Sequence, residues 1–233
     1  MPYTFHSGLL AMTRNRLALT LAIALSACAA PAFAQQDIDK VNGGITAEAG
    51  QAYGDLETVN GGIDIEDGAK VEDVSTVNGG IDGGDDIQAR NLEAVNGGVR
   101  LGKRAQVLGI DTVNGGIFLD RGSRVAGDIG NVNGGIGVVG TVVEGDIETV
   151  TGDITVGADS HVKGGIRVEK PQGMSFNWKK QRDPRIVIGP NAVVDGPLVF
   201  ERDVTLYVHS SARIGRVSGA TAKAYSTPTP PEE

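Results

Sequence analysis

From residue 37 onward, apolar side chains recur at alternate positions in short runs, as in Ile63-Asp64-Ile65, Ile117-Phe118-Leu119 and Ile136-Gly137-Val138. Alternation puts one set of side chains on one face, which predicts strands. A second run follows each of these, as in Ile65…Ala69-Lys70-Val71, Leu101…Ala105-Gln106-Val107 and Leu119…Ser123-Arg124-Val125. A third closes the unit: Leu56-Glu57-Thr58-Val59, Val74-Ser75-Thr76-Val77, Ile110-Asp111-Thr112-Val113, Ile147-Glu148-Thr149-Val150. No stretch after residue 40 has a helical period. Gly, Asn and Asp separate the runs.

The three runs repeat together around the phrase Val-Asn-Gly-Gly-Ile. It begins at Val41, Val59, Val77, Val113 and Val132; the copy at Val95 ends in Val99, and Val150–Ile154 is a worn version, Val-Thr-Gly-Asp-Ile. The step between starts is 18 residues, once 19. A fixed period of this length marks a repeat architecture. Three short strands joined by tight corners make one triangular coil. Stacked coils pair each strand in parallel with its copies, about 4.8 Å apart, and inward Val and Ile form a core that no coil could form alone. The predicted fold is an all-β, single-stranded parallel β-helix (β-solenoid) over 35–217, with about nine coils.

The corner residues are the structural positions of this reading: Asn42-Gly43-Gly44, Asn60-Gly61-Gly62, Asn78-Gly79-Gly80, Asn96-Gly97-Gly98, Asn114-Gly115-Gly116 and Asn133-Gly134-Gly135. Asn and Gly tolerate the sharp turn. Asn-Gly between apolar runs can also signal a hairpin, but one phrase per 18 residues is too regular for a meander. Residues 47–55 and 82–86 are the least regular, and Asp82-Gly83-Gly84-Asp85-Asp86 suggests a corner bulge. Thr58, Thr76, Thr112 and Thr149 sit two places before the Asn position. Pointing outward, the two columns would make a flat Thr-x-Asn face of the ice- or glycan-binding kind. The favoured expectation is that the Asn amides cap the corner by bonding backbone groups.

Outside the repeat lie three other segments. Residues 1–34 predict a signal peptide starting at Met12: Arg14 and Arg16, an apolar run from Leu17 to Ala30, then Ala32-Phe33-Ala34 before Gln35. Cys28, the only cysteine, lies in Leu25-Ser26-Ala27-Cys28, which resembles a lipoprotein lipobox. Lipidation there competes with the Ala34 cleavage site, which is favoured. No later stretch could span a bilayer, so the mature chain is expected at the periplasm or cell surface without a transmembrane span. Residues 171–184 interrupt the period as a loop holding Phe176, Trp178, Lys179, Lys180 and Arg182, a possible partner contact if exposed. Covering of the solenoid's flank by the two aromatics is the favoured alternative. Residues 218–233, rich in Pro and Glu, predict a disordered tail.

Charge narrows the partners. The net charge is −8, and loss of two arginines with residues 1–34 takes it to −10. Nucleic acid is therefore not expected, because phosphates call for a basic surface. Acids at outward positions keep a long β surface soluble. Five Phe, four Tyr and one Trp suit thin coils with small inward residues.

The Val-Asn-Gly-Gly-Ile and Val-Thr-Gly-Asp-Ile phrases resemble bacterial adhesin-type β-solenoids. Arg185–Val217, with Ile188-Gly189-Pro190-Asn191-Ala192-Val193-Val194-Asp195-Gly196, resembles a bactofilin-type polymer-forming repeat. The first resemblance implies an envelope-associated solenoid. The second implies end-to-end self-assembly, usually in the cytoplasm, from which the signal peptide departs. Partners implied are envelope components, or the chain itself through its solenoid ends.

Candidate chemistry is sparse. Acyltransferases with 18-residue coils resemble this chain in period and need a His base; His161 and His209 fall at outward or corner positions with no recurring acidic partner, so they are expected to be surface histidines. A recessed acid pair or a hydrogen-bonded His–acid pair would favour a carbohydrate-active enzyme instead. Calcium is not expected, because Asp64 has Thr46, Asp82, Arg100, Phe118 and Gly137 as equivalents, not one Asp per coil. No Cys/His spacing suggests zinc. The sequence thus points to a non-enzymatic exported envelope protein without cofactor or metal, adhesin-like or scaffolding. The alternatives are a bactofilin-like filament former and a carbohydrate-active or carbohydrate-binding solenoid.

Overall fold

The computed structural model describes residues 36–171 and 182–231. Among these residues there is no helix, and the strands form three parallel sheets. Sheet A contains Gln36–Asn42, Tyr53–Asn60, Val74–Asn78, Asn91–Asn96, Gly109–Asn114, Ile129–Asn133, Ile147–Thr149, Ile166–Val168, Leu198–Phe200 and Val217–Ser218. Sheet B follows each of these with a strand of three to five residues, from Ile45–Ala47 through Ile117–Leu119 to Thr205–His209 and Ala222–Tyr225. Sheet C has six two-residue strands, from Gln106–Val107 to Arg213–Ile214. Single parallel bridges, Ala52 to Lys70, Lys70 to Gln88 and Gln88 to Gln106, carry it into the earlier coils. In every sheet the order follows the chain, so each coil lies on the one before it. This is the β-solenoid that the period predicts.

The register is one coil per repeat. Ile45, Ile63, Ile81, Val99, Ile117, Ile136, Ile154, Ile186 and Leu206 form one inward column. Nearly all are fully buried. Each such side chain gains about 1.5–3 kcal/mol from burial, and stacking makes the columns one continuous core.

The corner between sheets A and B depends on glycine chiefly for closeness; only Gly43 (φ 101°) and Gly134 (φ 136°) there also have left-handed backbone. A Cβ at Gly61, Gly79, Gly97 or Gly115 would stand 2.3, 1.9, 1.7 or 2.0 Å from the carbonyl oxygen of the preceding coil. No side chain fits there. The turn after each of the first eight sheet B strands does need left-handed backbone: Gly50, Gly68, Asp86, Arg104, Gly122, Gly140, Asp159 and Asn191 occupy it in turn. Asp82–Asp86 is therefore no bulge. It is an ordinary coil in which Asp86 (φ 60°) takes the place Gly68 has one coil earlier.

The solenoid has about ten turns rather than nine, because the segment expected to be a disordered tail from 218 onward enters it. Ala222–Tyr225 pairs in parallel with Leu206–His209. The segment is too polar to make a core of its own, but the last coil offers an unpaired sheet edge, and backbone pairing recruits it. Tyr225 is buried, and its hydroxyl donates to the Ile188 carbonyl at 3.2 Å. Further on, the Arg185 guanidinium donates to the Pro231 carbonyl at 2.7 Å. Residues 1–34 with Cys28, and Phe176, Trp178, Lys179 and Lys180, lie outside the described residues. No helix among the described residues is long and apolar enough to cross a membrane.

Candidate functional site

The outer face of sheet A is built from the last residues of each strand. In Leu56-Glu57-Thr58-Val59-Asn60, Leu56 and Thr58 point inward and are buried, while Glu57, Val59 and Asn60 face solvent. The threonines thus close the inside of the corner. Thr58 Oγ1 donates to the Gly43 carbonyl at 3.1 Å, Thr76 Oγ1 to Gly61 at 2.9 Å and Thr112 Oγ1 to Gly115 at 3.1 Å. An outward Thr-x-Asn face is excluded by this burial. The valine that opens each phrase faces out, although Val and Ile in general form the inward set. Val41, Val59, Val77, Val95, Val113 and Val132 are 39 to 67 % exposed. The strict alternation ends at Thr58, where the chain begins its turn, so consecutive residues Val59 and Asn60 both reach solvent.

The asparagines do not chiefly cap backbone, contrary to expectation. Each amide nitrogen donates to the amide oxygen of the preceding coil: Asn60 to Asn42, Asn78 to Asn60, Asn96 to Asn78, Asn114 to Asn96 and Asn133 to Asn114, all at 3.0–3.1 Å. Thr151 ends the series with a 2.5 Å bond to Asn133 Oδ1. Only Asn60 also reaches a backbone carbonyl, that of Val41, at 3.3 Å. In-register stacking aligns identical amides, and that geometry favours the side-chain ladder.

On the other flank of the valine row runs a carboxylate column. Asp39, Glu57, Ser75, Glu93, Asp111, Gly130 and Glu148 are register partners in successive coils. Of these carboxylates only Glu148 is ion-paired among the described residues, with Arg167 at 3.2 Å. Partial burial, with the nearby charge of Asp128, raises the Asp111 carboxyl above the usual aspartate range. Two shallow grooves follow the boundary between carboxylates and valines. One is lined by Asp39, Val41, Glu57, Val59, Ser75 and Val77. The other includes Glu93, Val95, Asp111, Val113, Val132 and Glu148. The face therefore carries three parallel columns, an apolar and an amide one in every coil from Val41 to Asn133 and an acidic one interrupted at Ser75 and Gly130.

The remaining candidates are scattered. The column Thr46, Asp64, Asp82, Arg100, Phe118 and Gly137 does lie in register on sheet B, with its chemistry changing coil by coil. Among the described residues no three His, Cys, Asp or Glu side chains form a group that could hold a metal. His209 Nδ1 meets Ser211 Oγ at 2.8 Å. His161 does have an acidic partner: its Nε2 lies 2.6 Å from Asp195 Oδ2. The inserted loop stretches that coil, so the partner falls 34 residues away and the 18-residue step does not find it. The pair is the one that would favour an enzyme, yet both side chains are well exposed on an open sheet face rather than recessed. Arg182, at the loop's end, pairs with Asp153 at 2.5 Å, so this member of the suspected contact is engaged within the chain.

Two sets of residues escaped sequence reasoning. Aspartates taken as solubilising groups cap corners: Asp37, Asp55 and Asp73 each accept the backbone N–H of the corresponding residue one coil later, at 3.0–3.2 Å. Asp67, Asp85 and Asp128 do the same at other places. Their 18-residue spacing was the available signal. The second set, Val187, Tyr207 and Tyr225, forms a small buried cluster apart from the core. Arg185 and Lys223 lie over the Tyr207 ring at 5.1 and 5.5 Å.

No family model, no curated protein and no solved structure matches the chain.

Proposed function

We propose that the chain is an exported, non-enzymatic β-solenoid of a bacterial envelope, adhesin-like or scaffolding in action, which holds an elongated partner on the outer face of sheet A. The observation that carries this reading is the unbroken row of outward valines. Six exposed valines in consecutive coils, about 24 Å from end to end at the parallel-strand spacing, form a continuous apolar strip. Contiguous strips of that kind mark interaction surfaces, whereas single exposed valines do not. The adhesin-type resemblance of the repeated phrase and the signal-peptide pattern of residues 1–34 support the envelope assignment.

Sedimentation with isolated bacterial envelopes tests the reading. The chain is expected in the pellet, and V77K/V95K/V113K in the supernatant. F118A, on sheet B, serves as the control that should still pellet. Circular dichroism establishes that each variant keeps its strands. Wild-type protein left in solution, or a triple variant that pellets equally, would sink the proposal.

A second reading, head-to-tail assembly, is favoured by the sheet edges. Gln36–Asn42 and Val217–Ser218 are the terminal strands of sheet A and pair on one side only. Open edges of parallel strands template further pairing. Light scattering across protein concentrations distinguishes the two: growth in mass supports assembly, and a constant monomer mass excludes it.

A further inference from the structure

The three columns on sheet A also say what shape of partner they suit. This step rests on the reading of that face as the binding surface. Coils repeat at about 4.8 Å, so two coils span about 9.6 Å. A polyproline II helix has three residues per turn and a rise of about 3.1 Å, hence a turn of about 9.3 Å. One turn of such a ligand laid along the solenoid axis therefore matches two coils, and the mismatch stays near 1 Å over the whole valine row. An α-helical turn of about 5.4 Å slips by about 0.6 Å at every coil. A β-strand repeats its side chains every 6.7 Å or so and has no simple match.

The chemistry of the columns agrees with the pitch. A polyproline II ligand presents three side-chain rows. One lies along the valine row Val59, Val77, Val95 and Val113, which borders both grooves. A second falls beside the carboxylate column, where Glu93 and Asp111 are direct register partners and neither is ion-paired among the described residues. Like charges facing one another across a sheet oppose stability, and a basic side chain placed between them relieves that. On the other flank each ladder asparagine from Asn78 to Asn114 spends one amide hydrogen on its neighbour. Its second hydrogen is free to donate. Polyproline II backbone makes no internal hydrogen bonds, so its carbonyls are free to accept. The sheet itself offers no backbone groups on this face, since those are used between coils, so an extended ligand must arrive already stiff. Proline meets that need at little entropic cost.

We infer that the partner of the sheet A face is a proline-rich, basic segment of another protein, bound in polyproline II conformation along the solenoid axis, with apolar residues on the valines and basic residues on the Glu93–Asp111 column.

Titration of the chain with a synthetic peptide of four Pro-Lys-Val repeats, followed by calorimetry at low and moderate salt, tests this. Saturable binding is expected, weakened at least about tenfold (about 1.4 kcal/mol) by V95S/V113S and by E93Q/D111N, with the salt dependence reduced in the second variant. Both substitutions are on the surface, and circular dichroism reports whether the strands persist. Pro-Glu-Val repeats, and a peptide of the same composition with its lysines spaced every fourth residue, should not bind. Binding that ignores V95S/V113S would place the peptide elsewhere and overturn the inference. Equal binding of the four-residue period would overturn the pitch argument on which it stands. If no peptide binds while envelopes still retain the wild-type chain and lose V77K/V95K/V113K, the partner class is wrong and the face is right; a linear polysaccharide that binds in its place would show the same. If envelope retention also fails, the face itself is wrong.

Discussion

The early and late coils reach the same stacking distance at different corners. In the early coils the glycines closest to the preceding coil's backbone lie between sheets A and B, at Gly61, Gly79, Gly97 and Gly115. In the late coils they also lie between sheets C and A, where Gly145, Gly164, Gly196 and Gly215 would each set a Cβ within 2.2–2.6 Å of the preceding coil's backbone. That corner has also lengthened. Val107 and Ile110 are separated by two residues, but Val125 and Ile129, Val143 and Ile147, and Val162 and Ile166 by three. The outer surfaces diverge in step. Ion pairs occur in both, such as Arg104 with Asp86 and Glu144 with Lys163, each at 2.6 Å, but the early coils carry the valine row and the amide ladder, and the late coils the Tyr207 cluster. The inward columns run through both without a break. Packing therefore constrains the interior of every coil alike. Corners and outward positions are where coils are free to differ, and where a binding face can be confined to one stretch.

The sharpest way to break the comparison is at the two glycine stacks. G97A and G164A should each cost at least about 3 kcal/mol, because a methyl group would overlap backbone that cannot move without parting the coils. Hydrogen exchange should show G97A opening the early coils and G164A the late ones, since a solenoid is coupled mainly through nearest neighbours. Opening of the same coils by both would dissolve the distinction. Next come the inward columns. Ile117→Ala and Ile186→Ala should destabilise similarly, each by about 2–5 kcal/mol in denaturant melts, because both residues belong to one core. Asn96→Ala removes two rungs of the ladder and should cost about 0.5–1.5 kcal/mol. The smallest effect concerns Asp111. Its raised pKa means that ionisation opposes folding, a penalty that is absent well below the usual aspartate pKa and complete once pH exceeds the raised value. D111N should thus melt slightly higher than wild type at neutral pH and equally at about pH 3. A constant difference across that range would remove the burial account.

Much of this architecture was legible because a stacked coil repeats its demands. The inward residues at 45, 63, 81, 99, 117 and 136 show the period directly, since a misplaced polar group there would be buried in every neighbour's contacts. Legibility failed where one residue type serves two ends. Val59 and Ile63 are both β-branched and apolar, and nothing local distinguishes the outward one from the inward one. Asp55 and Glu57 are both acidic, yet the first caps the next coil's backbone while the second stands in the carboxylate column. Asp195 was hidden by the insertion that separates it from His161.

By itself, the sequence determined the solenoid, its coil length, its three sheets and its corner glycines, because those follow from period and from the volume a close approach allows. The tertiary structure alone decided which side of the strand each valine takes, that asparagines bond one another rather than the backbone, and that residues 222–225 join the last coil. These depend on what lies one coil away. A side chain's partner in a solenoid is about 18 positions along the chain but about 4.8 Å distant in space, and only stacking brings the two together.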